Sequence, residues 1–264
     1  GYGAGTKHLI THGYLTDFCI LGEPTALGVG TWAGGTVWFK ITTAGPMGHI
    51  CYGEYEPSAI ERMEWVQAAL REWRAEYTER NEYKGNHPLV NLAAVDGGWP
   101  YRCGRTSVEC SLYVDVRMVP GQRIQDVHQE FTGLIRSLNA KDPSPGAKVE
   151  SFCTIPPSAV PEDAHSVQSI KRAHETVVGE PPKPVQKTHY NDSDHMNRYG
   201  IEVVVYGPAG RMRSREFGWA PNLGEFVHIP DLVTASKVYA LAALDLCAQD
   251  RDPKALRPDP FAAV

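Results

Sequence analysis

Several places along the chain combine residue types that can do chemistry. Glu23 stands just past the short apolar run Phe18-Cys19-Ile20-Leu21-Gly22 and ahead of Pro24 and Thr25. Ligand sites of open α/β sheets collect beyond strand ends, so a carboxylate there can hold a metal ion or cap a turn. Pro24 biases it towards extended geometry, and spacing alone favours the turn. His49 follows Gly45-Pro46-Met47-Gly48, a tight turn at the end of a strand. An imidazole on such a tip can donate a hydrogen bond to an oxyanion; the competing reading is an exposed surface histidine. Arg117 closes the run Ser111-Leu112-Tyr113-Val114-Asp115-Val116. Its guanidinium can fork onto a substrate carboxylate or pair with Asp115 on the same strand face. Between His189 and His195 lie Asn191, Asp192 and Asp194, a concentration of metal-capable groups. Their spacing matches no recognised ligand set, which favours Asn191 or Asp192 as the N-cap of a short helix ending near Arg198. Gly207-Pro208-Ala209-Gly210 follows a strand and can offer backbone N–H groups to an anion. Arg211, Arg213 and Arg215 crowd the same loop, which suits either an anionic substrate or a solvated loop. His8 and His12 share a helix face, but the glutamate of a zinc-binding H-E-x-x-H is absent.

The elements that must position these residues are legible from periodicity. Thr6 to His12 reads as a helix closed by Gly13, and the run at Phe18 as a buried parallel strand. The glycines at 28, 30, 34 and 35 make a joint. Beyond it, Thr36 to Thr42 reads as a strand, and Ile60, Met63, Val66, Leu70, Trp73 and Tyr77 form the buried stripe of a helix opening at Pro57. Strands near Pro88–Val95 and Ser107–Arg117, a helix near Ile124–Leu138 and a strand near Lys148–Thr154 complete an order of strand, helix, strand, strand, helix, strand. That is the ferredoxin-like split arrangement. After Pro156, Pro157 and Pro161 the α/β texture returns. It has a helix near Ala164–Val177, an apolar strand at Ile201–Tyr206 and a final helix from Pro230 to about Cys247. That last helix is apolar nearly all round and is expected to be well buried. The reading is an α/β catalytic domain, residues 1–34 and 157–264, interrupted by an inserted ferredoxin-like α+β domain at 35–156.

Composition narrows the classes. The chain has 264 residues, with 26 basic against 31 acidic side chains and a net charge of -5. Without a basic stripe, binding to nucleic acid or an anionic membrane has little electrostatic support. No apolar run approaches the roughly 20 residues of a membrane helix. The six cysteines include no C-x-x-C pair, which reads as scattered reduced thiols and favours a cytoplasmic setting. The chain opens Gly-Tyr-Gly without methionine, so a targeting segment could precede it.

Taken together, the ordered set resembles the C-terminal two-thirds of an M20-type metallohydrolase, the family of acetylornithine deacetylase, succinyl-diaminopimelate desuccinylase and carboxypeptidase G2. The carriers are Leu21-Gly22-Glu23-Pro24-Thr25, the run Ile41 to His49, and Tyr113-Val114-Asp115-Val116-Arg117. Asn197-Arg198-Tyr199-Gly200-Ile201, Val205-Tyr206-Gly207-Pro208 and Gly224 to Leu232 follow in family order. The resemblance implies a lid that dimerises, with Glu23 as a ligand of the first metal. It implies that His49 reaches into the partner's site to stabilise an oxyanion and that Arg117 holds the substrate carboxylate. The loops at Asn191-Asp192 and Gly207-Pro208, with Arg211, would line the pocket.

Two departures follow from the same resemblance. The family's His-x-Asp, bridging Asp and Glu-Glu pair all precede Gly1, so an N-terminal fragment of the same protein is expected to supply the remaining ligands and the general base. The late metal-binding histidine, four residues before the equivalent of Glu225, is here Pro221. This implies one divalent ion per site (Zn, Mn or Co), unless His228, His189 or His195 substitutes. Gly104 stands where relatives place an asparagine, thirteen residues before Arg117. The expected activity is metal-dependent hydrolysis of a C–N bond in a small carboxylate-bearing substrate, by default an N-acyl amino acid, in a homodimer or higher oligomer. The alternatives are an aminohydrolase releasing ammonia from an aromatic amine such as a nitroanthranilate, or a non-catalytic binding or dimerisation module.

Overall fold

The computed structural model describes residues 3–52, 56–185, 189–208, 210 and 226–248. The chain divides into two units, Gly34–Pro157 and the combination of Gly1–Ala33 with Ser158–Val264.

The unit at 34–157 is a four-stranded antiparallel sheet of order β4-β5-β3-β6. Its strands are β3 (Gly35–Ala44), β4 (Val90–Gly97), β5 (Glu109–Met118) and β6 (Lys148–Ile155). Alternation along the two central strands sends Val37, Phe39 and Ile41 and Leu112, Val114, Val116 and Met118 into one core. That inner face is covered by α2 (Ala59–Arg80) and α3 (Ile124–Lys141). On α2 the buried residues are Met63, Val66, Leu70, Trp73 and Tyr77, three or four apart, so one stripe meets the sheet. The helix starts at Ser58, where a capping box forms. The Ser58 hydroxyl accepts the Glu61 N–H, and the Glu61 carboxylate accepts the Ser58 N–H at 2.8 Å. From α3, Val127, Phe131 and Ile135 fill the rest, with Phe131 stacked on Phe39 at 4.0 Å between ring centres. The Tyr77 hydroxyl crosses the core to donate to the Arg117 carbonyl at 2.8 Å, and burial pushes its pKa up. The strand and helix order matches the expected split arrangement. In register, Arg117 pairs with Thr36 at the start of β3, and Thr36 pairs with Ile155 at the end of β6.

In the other unit, β1 (Phe18–Leu21) lies parallel to β8 (Glu202–Val205), with Leu21 opposite Val205. A second pair, β2 (Trp32–Ala33) and β7 (Ser158–Ala159), is antiparallel. The helices are α1 (Ala4–Thr11), α4 (His165–Val178), α5 (Ser193–Asn197) and α6 (Ile229–Cys247). Val167 and Ile170 of α4, Val204 and Tyr206 around β8, and Val238 and Ala242 of α6 form its core. The expectation that α6 is buried nearly all round is corrected. Asp231, Ala235, Val238, Ala242 and Leu246 form a single buried stripe, while Leu244 is 70% exposed and Leu232 and Val233 are also exposed. An apolar composition sets how much surface a helix could bury; the number of neighbours sets how much it does. Among the described residues no helix is long and apolar enough to cross a membrane.

Candidate functional site

Glu23 lies two residues beyond β1 and Gly207 two residues beyond β8, at the C-terminal ends of adjacent parallel strands. The join is tightly bonded. Tyr206 N–H donates to the Leu21 carbonyl at 3.0 Å, and Gly207 N–H donates to Thr25 Oγ1 at 2.8 Å. The Thr25 hydroxyl in turn donates to the Gly207 carbonyl at 3.1 Å, which also accepts Leu27 N–H at 2.8 Å. Position 207 is glycine because nothing larger fits: a Cβ there would lie 2.2 Å from the Glu23 carbonyl oxygen. The turn that carries Glu23 is strained. Ala26 and Leu27 have φ of 53° and 63°, a left-handed pair without glycine or asparagine, costing about 1–2 kcal/mol each. Strain of this kind persists where the surroundings over-determine it, often around ligands. Nothing in the letters Ala-Leu signals it.

Beneath this junction the Tyr206 hydroxyl lies 2.8 Å from His174 Nδ1, and the Tyr239 hydroxyl donates to the Tyr206 carbonyl at 2.7 Å. Burial raises both phenol pKa values and lowers that of His174, so the cluster is neutral.

The 189–195 segment resolves into turn chemistry. Asp192 occupies the N-cap position of α5, yet its side chain makes no cap bond. Its Oδ2 instead accepts the Thr6 hydroxyl at 2.5 Å, while Asn191 Oδ1 accepts Ser193 N–H at 3.0 Å. Asp194, 1% exposed, lies 3.0 Å from His195 Nδ1. Among the described residues no three histidine, cysteine, aspartate or glutamate side chains come together as a metal site. Glu23 thus stands at a strand end outside any such cluster, and the described residues do not by themselves hold a divalent ion. Arg211, Arg213, Arg215, Pro221 and Glu225 lie outside the described residues.

In the 34–157 unit, His49 sits on the turn after β3, and the chain pairs there with the segment before β5. Ile50 N–H donates to the Gly104 carbonyl at 2.9 Å, and Thr106 N–H donates to that of Gly48 at 3.2 Å. The imidazole lies on bare backbone, since a Cβ at Gly104 would be 3.0 Å from His49 Nε2. Cys51 N–H donates to His49 Nδ1 at 3.3 Å. Nδ1 is therefore the unprotonated nitrogen and Nε2 carries the proton, so the neutral ring is a hydrogen-bond donor at Nε2. Sequence marks the turn, but not this tautomer, because a backbone amide sets it.

Arg117 is paired with Asp115, as the same-face alternative expects. Its Nε and Nη2 both reach Asp115 Oδ2, at 2.9 and 2.8 Å, and Thr36 Oγ1 donates to Asp115 Oδ1 at 2.6 Å. The bonds to Asp115 help to hold the guanidinium in place. Because Arg117 is opposite Thr36, while His49 lies beyond Ala44 at the far end of β3, at least eight residues of strand separate them. At ~3.4 Å per residue that is roughly 27 Å.

Comparison with known proteins adds the following. Residues 32–143 match the family model of the M20 peptidase dimerisation domain. The chain is 24% identical to the N-formyl-4-amino-5-aminomethyl-2-methylpyrimidine deformylase of Bacillus subtilis, with 94% of this chain and 62% of that protein covered. It is 31% identical to the acetylornithine deacetylase of Vibrio cholerae, over 54% of this chain and 41% of that one. Human carnosine dipeptidase 1 has a similar fold, with a TM-score of 0.65 at 13% identity over 94% of this chain and 62% of that one. The chain thus spans about three fifths of the length of the deformylase it matches.

Proposed function

The chain belongs to the M20 family, and from that premise we propose that it forms the greater part of a hydrolase that cuts an amide-type C–N bond. The substrate is small and carries a carboxylate, an N-acyl amino acid in the first instance. The observation that carries this reading is the separation of His49 from Arg117. A Nε2–H donor fixed by its own backbone and an arginine fixed by Asp115 stand at opposite ends of one sheet. No small substrate bridges roughly 27 Å, so the two act on one molecule only when they come from two copies of the chain. In the homodimer, Arg117 of one copy takes the substrate carboxylate. His49 of the other donates to the oxygen that gains negative charge when the scissile carbonyl is attacked. Such a donor is worth about 10²–10³ in rate.

A divalent ion, where relatives of this family use one, would polarise the scissile carbonyl and the attacking water. Glu23 could give it one ligand, with the others and the general base from outside the described residues.

The test uses protein expressed from its complete reading frame, offered N-acyl amino acids and aromatic amines in the presence of Zn, Mn or Co. Release of an amino acid and a free acyl acid is the expected result. Ammonia from an aryl amine would move the assignment to an aminohydrolase, and no turnover of either set would leave a binding module. His49→Gln and Arg117→Ala should each be inactive alone. Mixed and re-associated, they should regain about a quarter of the activity, since half of the random dimers carry one intact site of two. No recovery would refute the two-copy site.

A further inference from the structure

A cavity of about 520 Å³ opens beside His49, and its described lining residues all belong to the 34–157 unit. Its walls are apolar: Ile50, Ile60, Trp99 and Pro100. Its backing is flat, because Gly97, Gly98 and Gly104 contribute no side chains. Added Cβ atoms at 97 and 98 would crowd Cys110 at 3.0 Å and Ile60 at 3.2 Å. Trp99 is 54% exposed, an uncovered indole on the cavity. Ring systems stack on such a surface.

The polar groups of the lining fall into two sets. Thr106 and Ser107 donate to the carbonyls of Pro46 and Glu109, both at 2.7 Å, and the Cys103 thiol reaches that of Pro100 at 3.3 Å. Glu61 is engaged in the capping box at the start of α2. The second set faces the space with donors. His49 presents Nε2–H, and Arg105 presents a guanidinium with no carboxylate of the described residues within ion-pairing distance. Glu56, the other lining carboxylate, is exposed to water. A planar apolar slot with a free guanidinium and an imidazole N–H at its edge is complementary to one chemistry.

We propose that this cavity seats a flat aromatic group bearing a carboxylate, its ring against Trp99 and its anion on Arg105, next to His49. The assignment rests on His49 acting upon substrate, and it gives the aromatic portion of that substrate a place on the copy that supplies His49.

The test is binding and needs no turnover. Benzoate is titrated into the protein while the imidazole Cε1–H resonance of His49, assigned by loss in His49→Gln, is followed by NMR. Benzoate should shift that resonance saturably, and Trp99→Ala and Arg105→Gln should each weaken binding about tenfold or more. Both side chains are exposed, and an unchanged circular dichroism spectrum verifies that each variant folds. Benzamide should bind more weakly for want of charge, and cyclohexanecarboxylate more weakly for want of a flat ring. The proposal is overturned if benzoate leaves His49 unmoved, if the two variants bind it as the parent does, or if either analogue binds as well as benzoate. A failed titration leaves the mixed-dimer result standing, and a failed mixed-dimer assay leaves the titration standing, so the two readings fail separately.

Discussion

Gly207→Ala tests whether the join between β1 and β8 is as tight as the structure makes it. The new methyl carbon would meet the Glu23 carbonyl oxygen at 2.2 Å, its carbon at 3.1 Å and its nitrogen at 3.2 Å. These are backbone atoms of a turn already strained at Ala26 and Leu27, so no side chain can rotate away. Relief requires the two strand ends to part, which loosens the bonds of Gly207 to Thr25 and Leu27. Overpacking of this kind costs about 1–3 kcal/mol, and the upper end is expected because the obstacle is main chain. At roughly 2–4 °C per kcal/mol for a chain of this size, the midpoint should fall by about 6–12 °C. Gly133→Ala in α3 is the control: nothing lies within 4 Å of its added carbon, and it should stabilise by about 0.5–1 kcal/mol. Thermal unfolding followed by circular dichroism separates them. A Gly207→Ala midpoint equal to that of the parent would mean that the Glu23 turn yields freely. The strand-end site would then lose its claim to be pre-formed.

Two further predictions concern folding. Burial holds the His174 pKa below its ordinary value, so the unfolded chain takes up a proton first as pH falls. The contribution is intact above about pH 6.5 and is lost as pH drops from there through the depressed folded value. Urea unfolding at pH 7.5 and 5.5 should show that loss in the parent and a shallower one in His174→Gln; equal slopes would refute it. Ser58→Ala removes one arm of the capping box on α2 and should cost about 0.5–2 kcal/mol, read from the denaturant midpoint. An unchanged midpoint would mean that the helix start is fixed by packing alone.

How much of this was legible beforehand depends on whether side chains or backbone carry the signal. Val37-Phe39-Ile41 and the stripe from Met63 to Tyr77 announce their elements because burial follows their period. The turn before His49 is equally plain from its glycines and proline. The spacing of Asp115 and Arg117 puts them on one face, yet leaves open whether arginine turns to its neighbour or to a ligand; the Thr36 bond to the same carboxylate decides it. The tautomer of His49 depends on the Cys51 amide, which every residue but proline possesses. The left-handed pair Ala26-Leu27 is invisible because neither residue favours that conformation. The sequence leaves Asn191 or Asp192 as the N-cap of α5; Asp192 takes the position, but Thr6, far away in sequence, captures its carboxylate.

The pairing of Thr36 with Ile155 has a consequence for how such a chain can be built and taken apart. The 34–157 unit begins on β3 and ends on β6, and these are hydrogen-bonded neighbours. Entry and exit therefore lie about one strand spacing apart, roughly 4.8 Å. A segment whose ends nearly touch can be spliced out and replaced by a short turn without stretching what remains. It can equally be moved into another loop of similar gap, as a cassette with its own core.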